Sequence, residues 1–216
     1  MLPTHLDHLV ITAPTLQAGA RWVEDALGVP LQAGGKHPRM GTHNLLLRLG
    51  HNVYLEVIAI DPDAHVPDRP RWFGLDAHAG TRLATWVLRS SDIDATAQAM
   101  HAVADGVELG AIETMTRGDL EWRITIPSDG QPAMQGIAPS LIQWGKGPHP
   151  ASRLQEAGCS LLGLHAYHQD AGRARSMLAS AGFEGAVEFI EIGPNDPPRL
   201  QARIQTPSGI RVLGQG

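Results

Sequence analysis

Imidazole, amide, hydroxyl, phenol and carboxylate groups gather in three short stretches of this 216-residue chain. Asp7-His8-Leu9-Val10-Ile11 carries the first imidazole. Gly34-Gly35-Lys36-His37-Pro38-Arg39-Met40-Gly41-Thr42-His43-Asn44 adds a second with a hydroxyl and an amide, and Tyr54-Leu55-Glu56-Val57 supplies a phenol and a carboxylate. A His and Glu such as His8 and Glu56 are also a common pair that hydrogen-bond each other when partly buried. His37 follows two glycines, which permit close backbone approach or positive φ. It is either a solvent-exposed loop histidine or a group that faces a ligand. Thr42, Asn44 and Tyr54 offer donors and acceptors that would orient a carbonyl or carboxylate, or would pair across strands. Arg48 would neutralise an acidic substrate, or end its strand as a solvated charge.

The elements that position these groups follow from periodicity. A strand from Leu6 alternates, with Leu6, His8, Val10 and Thr12 on one face and Leu9 and Ile11 on the other. Thr15 caps a helix whose Leu16, Ala20, Val23 and Leu27 recur at helical spacing, and Gly28 stops it. Short strands follow near Leu31 to Ala33, from Thr42 to Leu49 and from Val53 to Ile60. Leu45, Leu47 and Leu49 share one face of the third strand, and Thr42, Asn44 and Arg48 the other. This β-α-β-β-β pattern restarts after a Pro- and Asp-rich connection. It reads as a strand from Leu83 to Arg89, a helix capped at Ser91 or Asp92, a hairpin turning at Gly118-Asp119 and a strand from Leu141 to Trp144. A third round opens at Leu161 to His168, with Asp170 capping a helix and three strands after it. The predicted organisation is therefore 1–145 as one two-module domain, with modules 5–60 and 83–144, and 155–216 as an additional module of the same pattern.

Composition narrows the options. A 43% hydrophobic content supports an ordinary soluble core. Net charge of −5 with scattered Lys and Arg leaves no footprint for nucleic acid. The start of the chain lacks a basic, apolar leader, and no segment approaches the roughly 18 apolar residues of a membrane span. No membrane partner and a cytoplasmic location are the expectations. The single cysteine, Cys159, allows no internal disulfide and reads as an inert thiol. GxSxG, Walker A, GxGxxG, HExxH and CxxC patterns are absent. Trp72, Trp86, Trp122 and Trp144 either wall a cleft or pack the core. His51, His65, His78, His101 and His149 have no convergent partner in the sequence.

The GGxHxxxGTxN segment, the spacing from His8 to Thr15 and the His8/Glu56 pair resemble the vicinal-oxygen-chelate superfamily, most closely a glyoxalase-like branch. The resemblance implies an α+β fold of repeated βαβββ modules whose curved mixed sheets surround a cleft. It also makes the strands of His8 and Glu56 neighbours, so these two would ligate one divalent cation, with Zn, Mn, Fe(II) or Ni suited to mixed N/O ligation. Glu56 and His37 would be the catalytic groups, and Thr42, Asn44, Arg48 and Tyr54 would bind substrate. The superfamily completes its ligand set from the partner module, where this sequence offers Thr85 and Gln143. The third module offers Gly163, with His165 and Tyr167 nearby. A four-ligand set does not carry over directly, and any metal would have to recruit His37, His165 or Gln143.

The resulting expectation is a small-molecule enzyme acting on a vicinal-oxygen substrate as a metal-dependent lyase, dioxygenase or isomerase. The alternative is a protein of the same fold that binds a small drug or metabolite without chemistry. A homodimer is open on either reading.

Overall fold

Four strands and a helix form the first module, as a computed structural model describing residues 3–77 and 79–214 shows. They are β1 (His5–Thr12), α1 (Leu16–Leu27), β2 (Gln32–His37), β3 (Thr42–Arg48) and β4 (Tyr54–Ile60). Thr15 Oγ1 accepts the Ala18 N–H at 3.1 Å at the start of α1. Gly28 closes the helix at φ 72, a left-handed conformation that costs glycine least. The second module repeats the plan with β5 (Arg82–Arg89), α2 (Ile93–Val103), β6 (Ala111–Arg117), β7 (Leu120–Ile126) and β8 (Ser140–Trp144). In each module the first strand runs parallel beside the last.

The modules join along an antiparallel β1–β5 seam into one 8-stranded sheet of order β2-β3-β4-β1-β5-β8-β7-β6. The sheet curls into a half-barrel of the mixed α+β class. Its convex face packs Leu9, Ile11, Leu47, Leu55, Trp86 and Leu88 with Val23 and Leu27 of α1 and Ile93 and Met100 of α2. Its concave face carries a separate apolar cluster that includes Val10, Ile58, Val87, Met115, Trp122 and Ile142. Period-two alternation places these sets on opposite faces, since successive strand side chains point opposite ways.

Three sequence expectations need correction. Leu6 belongs with Leu9 and Ile11 on the convex side, because β1 carries an extra residue between Leu6, paired with Leu88, and His8, paired with Val87. The bulge re-aims one side chain, as bulges do. Secondly, Gly34 to His37 is not a loop: it belongs to β2, whose pairing with β3 is irregular between Ala33 and Lys36. Thirdly, the last unit, β9 (Ser160–His168), α3 (Ala171–Ser180), β10 (Val187–Glu191), β11 (Arg199–Thr206) and β12 (Gly209–Leu213), keeps the element order of a module but not its topology. Its sheet order is β10-β9-β11-β12, with the first strand inside the sheet and not beside the last. Alternation along a strand reports its faces and carries no information about its lateral neighbours.

This third unit covers the convex layer. Leu164, Ala166, Leu200, Ala202 and Ile204 enter the same core as Leu9 and Trp86, and Phe183 meets the Trp86 ring edge-on at 5.9 Å. Thr4 fastens the unit to the chain start, its N–H bonding Gly182 O at 3.1 Å and its hydroxyl bonding Ala181 O at 3.1 Å. Among the described residues no helix is long and apolar enough to cross a membrane. His78 lies outside the described residues.

Candidate active-site cavity

The bulge in β1 puts Asp7 and His8 to one use. Asp7 is fully buried, and its Oδ1 accepts from His8 Nδ1 at 2.7 Å. Its Oδ2 accepts from Trp144 Nε1 at 3.0 Å and His149 Nε2 at 2.9 Å, with Arg89 Nη1 at 3.7 Å. Burial pushes the Asp7 carboxyl up, but the hydrogen bonds from His149 and His8 outweigh it and hold the group well below the usual carboxylate range. An ionised Asp7 is an acceptor only, so His8 carries its proton on Nδ1 and turns Nε2 to the cavity. His149 shows the converse tautomer, because its Nδ1 accepts the Ala151 N–H at 3.2 Å.

Opposite His8 stands Glu56 on β4, Oε2 at 3.6 Å from His8 Nε2. The second Glu56 oxygen, Oε1, accepts from Asn44 Nδ2 at 2.6 Å, and Asn44 Oδ1 accepts the Gly35 N–H at 2.7 Å. These bonds fix the amide orientation of Asn44. Each of the two facing groups is thus held from behind, His8 by Asp7 and Glu56 by Asn44.

Arg117, the last residue of β6, reaches the same cavity from the second module. Its Nη1 donates to His37 Nε2 at 3.0 Å and lies 3.5 Å from Asn44 Oδ1. His37 is buried, with Nδ1 at 3.1 Å from Thr42 Oγ1. Burial pushes its pKa down to about 3, assisted by the positive charge of Arg117. His37 is therefore neutral, with its Nε2 lone pair taken by the guanidinium and its Nδ1–H on Thr42. The glycines in front explain themselves by space. A Cβ on Gly34 would collide with Asn44 Oδ1, and one on Gly35 would lie 2.9 Å from Arg117 Cδ.

Aromatic rings wall the space. Tyr54 stacks on His8 with centroids 4.5 Å apart and planes at 15°, and burial holds its phenol protonated by raising its pKa well above the usual value. Trp72, Phe73, Trp122 and Trp144 line the remainder with Ile124 and Ile142. The accessible volume is about 30 Å³, room for about two waters or one compact polar group.

The structure brings together His8, His37, Asn44, Tyr54 and Glu56 of the sequence-predicted set. Thr42 stands behind His37 and does not line the cavity. Arg48 is elsewhere, its guanidinium bonded to Gly50 O at 3.2 Å and paired with Glu156 at 3.2 Å, because the end of β3 runs out of the half-barrel. Sequence reasoning missed Asp7, Arg117 and His149. Alternation on β6, where Met115 and Arg117 share a face, was the one signal for Arg117. Trp86 proves to be core on the convex face, while Trp72, Trp122 and Trp144 are walls.

A family model described as a glyoxalase-like domain matches residues 6–182. The chain belongs to this glyoxalase-like family. A crystal structure of a hypothetical protein from Staphylococcus aureus, 14% identical, aligns over 100% of this chain and 87% of its own with a TM-score of 0.60, a likeness of fold. Methylmalonyl-CoA epimerase from Mycobacterium tuberculosis is 21% identical over 66% of this chain and 88% of its own, with a TM-score of 0.42. The Streptomyces coelicolor methylmalonyl-CoA epimerase with 2-nitronate-propionyl-CoA is 19% identical over 68% and 100%, with a TM-score of 0.43. No curated protein sequence matches the chain significantly.

The glyoxalase-like fold raises the question of a chelated cation, and the donor set does not fit one. Beyond His8 Nε2 and Glu56 Oε2 no third His, Cys, Asp or Glu converges with them among the described residues. Gln143 faces the convex side, where its Oε1 accepts the Ile93 N–H at 3.0 Å and caps α2. The Thr85 hydroxyl donates to Gly136 O at 3.2 Å, and His165 lies in the other sheet, 3.5 Å from Glu188. His37 offers no free lone pair, and the guanidinium of Arg117 opposes a cation in the same space.

Proposed function

We propose that this chain is a small-molecule enzyme that moves a proton on a substrate carrying vicinal oxygens, an isomerase or lyase of the glyoxalase-like family. The observation that carries the reading is the facing of His8 Nε2 and Glu56 Oε2 at 3.6 Å, each anchored from behind. Glu56 removes the proton from a carbon next to a carbonyl. The C–H electron pair moves into a new C=C bond and the carbonyl π pair moves onto oxygen; the proton now on Glu56 passes across the 3.6 Å gap to the free Nε2 lone pair of His8, and the imidazolium so formed delivers it to that oxygen. Asp7 holds the imidazole ring and stabilises the imidazolium that precedes this transfer, the service a buried aspartate renders in an Asp–His pair. Loss of the hydroxyl proton on the first carbon, whose C=O re-forms, with delivery of one proton to the other carbon, completes an isomerisation. No step uses a metal.

The test is proton exchange. Compact hydroxycarbonyl compounds incubated in D2O should lose their α-proton signal by NMR, and Glu56→Gln and His8→Gln should slow this by about 10²–10⁴-fold, the range for a general acid or base. Exchange unaffected by Glu56→Gln would overturn the assignment. A ligand-binding protein without chemistry is the second reading, favoured by the aromatic walls and the two-donor His8/Glu56 set. It predicts saturable binding with no exchange.

A further inference from the structure

We propose that Arg117 is the anchor for a substrate carboxylate, and that the segment from Gly34 to Asn44 exists to present it, so that the substrate is a compact 2-oxo or 2-hydroxy carboxylate. The placement of the carboxylate beside the reacting carbon rests on the proton-transfer reading above. The anion site itself does not.

The guanidinium has no direct carboxylate partner among the described residues. Arg39 and Arg69 both pair with Glu113 on the same strand as Arg117, at 2.6 and 3.1 Å, whereas Arg117 has no carboxylate oxygen within 4.0 Å among the described residues. Its contacts are the neutral His37 ring and the Asn44 amide, both made through Nη1. Nη2 and Nε make no hydrogen bond to a described residue. Neutral acceptors orient a guanidinium without cancelling its charge, and the remaining N–H groups keep the fork geometry that matches a carboxylate. A buried histidine whose acceptor nitrogen is committed to an arginine, with Thr42 fixing its other nitrogen, has no use as a proton shuttle in this arrangement. It has an evident use as a bracket.

The two glycines are read the same way. Neither takes a positive φ, so neither is demanded by backbone conformation. What they supply is room, Gly34 for the Asn44 amide and Gly35 for the Arg117 side chain arriving from the other module. Lys36, between them and His37, is turned away to Asp61 and Asp63 at 2.9 and 3.2 Å and adds no second charge to the cavity. The accessible space of about 30 Å³ suits a carboxylate-sized group, and Trp72 and Trp122, edge-on to His37 at 5.2 and 6.1 Å, limit what extends past it.

The experiment measures binding, not turnover. Glycolate and pyruvate are titrated against tryptophan fluorescence, which reports on the cavity walls, alongside the neutral glycolamide and pyruvamide. The acids should bind at least tenfold more tightly than their amides. Arg117→Gln should weaken the acids by about 10- to 100-fold, the range for a lost charge-assisted hydrogen bond, with the amides unmoved. Gly35→Ala should reproduce that loss by displacing the guanidinium. His8→Gln, which removes the proposed acid, should retain acid binding, so failure of the proton-transfer reading and failure of the anion site are separately visible. Equal affinity of acid and amide in the unaltered protein, a measurement that needs no variant to fold, overturns the proposal. So does unchanged acid binding in a folded Arg117→Gln protein, or no binding of either acid.

Discussion

The two modules of the half-barrel share one topology and divide its inner surface unequally. In the first module the inward positions of β1, β3 and β4 hold His8, Asn44, Tyr54 and Glu56. In the second, β5, β7 and β8 turn Val87, Trp122, Ile124 and Ile142 to the same space, and β6 adds Arg117. The polar side chains that the second module does possess at related positions are spent on structure, Thr85 on Gly136 and Gln143 on the start of α2. The difference teaches that the pairing of similar halves need not make a symmetric site. One half carries most of the polar groups, and the other supplies an apolar wall and one positive charge, which together strengthen electrostatic interactions inside the cavity.

This division leads to graded expectations. Glu56→Gln or His8→Gln should abolish most proton exchange, about 10²–10⁴-fold, whereas Ile142→Val on the opposite wall should change it by less than about tenfold. Comparable losses from both walls would contradict the division of labour. Next in size is Asp7→Asn, which leaves donors from His8, His149 and Trp144 without their shared anion. It should lower stability in urea by about 3–5 kcal/mol, the cost of breaking a buried charged network. Because the Asp7 pKa is depressed on folding, its contribution is full above the ordinary carboxylate range and is lost only as pH falls through and below that range.

A smaller effect concerns His37. Its pKa is about 3 when folded and near the usual 6.5 when unfolded, so between these values the unfolded chain binds a proton that the folded one does not. Stability should therefore fall as pH drops through that window, with a limiting slope of about 1.4 kcal/mol per pH unit from this group, and His37→Gln should remove that part of the slope in urea titrations at pH 4, 5 and 6. Smallest is Gln143→Ala. Loss of its bond to the Ile93 N–H should cost about 1 kcal/mol of stability, as for a helix cap, and leave exchange unchanged. A loss of exchange would show that the second module contributes more than a wall.

Much of the first module was legible before any coordinates. Alternation put Leu9, Ile11, Leu45 and Leu47 toward α1 and His8, Asn44 and Glu56 toward the cleft, and Thr15, the pair Ser91 and Asp92, of which Asp92 is the cap, and Asp170 announced their helices. The illegible parts share a cause: they depend on lateral placement and not on order along the chain. Arg117 meets His37 across a separation of 80 residues, and His149 meets Asp7 across 142. Neither pairing leaves a local periodicity. The bulge at Asp7 shifts Leu6 off its expected face by one residue, and an alternation rule cannot register an insertion that the partner strand defines. The last unit repeats the order of a module while weaving a different sheet, for the same reason.

The outer strands β2 and β6 of the half-barrel meet through side chains, Arg117 on His37 and, from the turn after β2, Arg39 on Glu113, and not through a ladder of backbone hydrogen bonds. Parting them breaks a handful of contacts, while parting β1 from β5 would break a continuous seam and the core behind it. Motion of the barrel should therefore concentrate at this rim, on the timescale of local opening, well below the free energy of global unfolding. Amide hydrogens of β2 and β6 that lack ladder partners should exchange earlier than those of β1 and β5. An opening that widened the cavity for a ligand would also part Arg117 from His37, so widening the rim and holding the guanidinium in its bracket exclude each other.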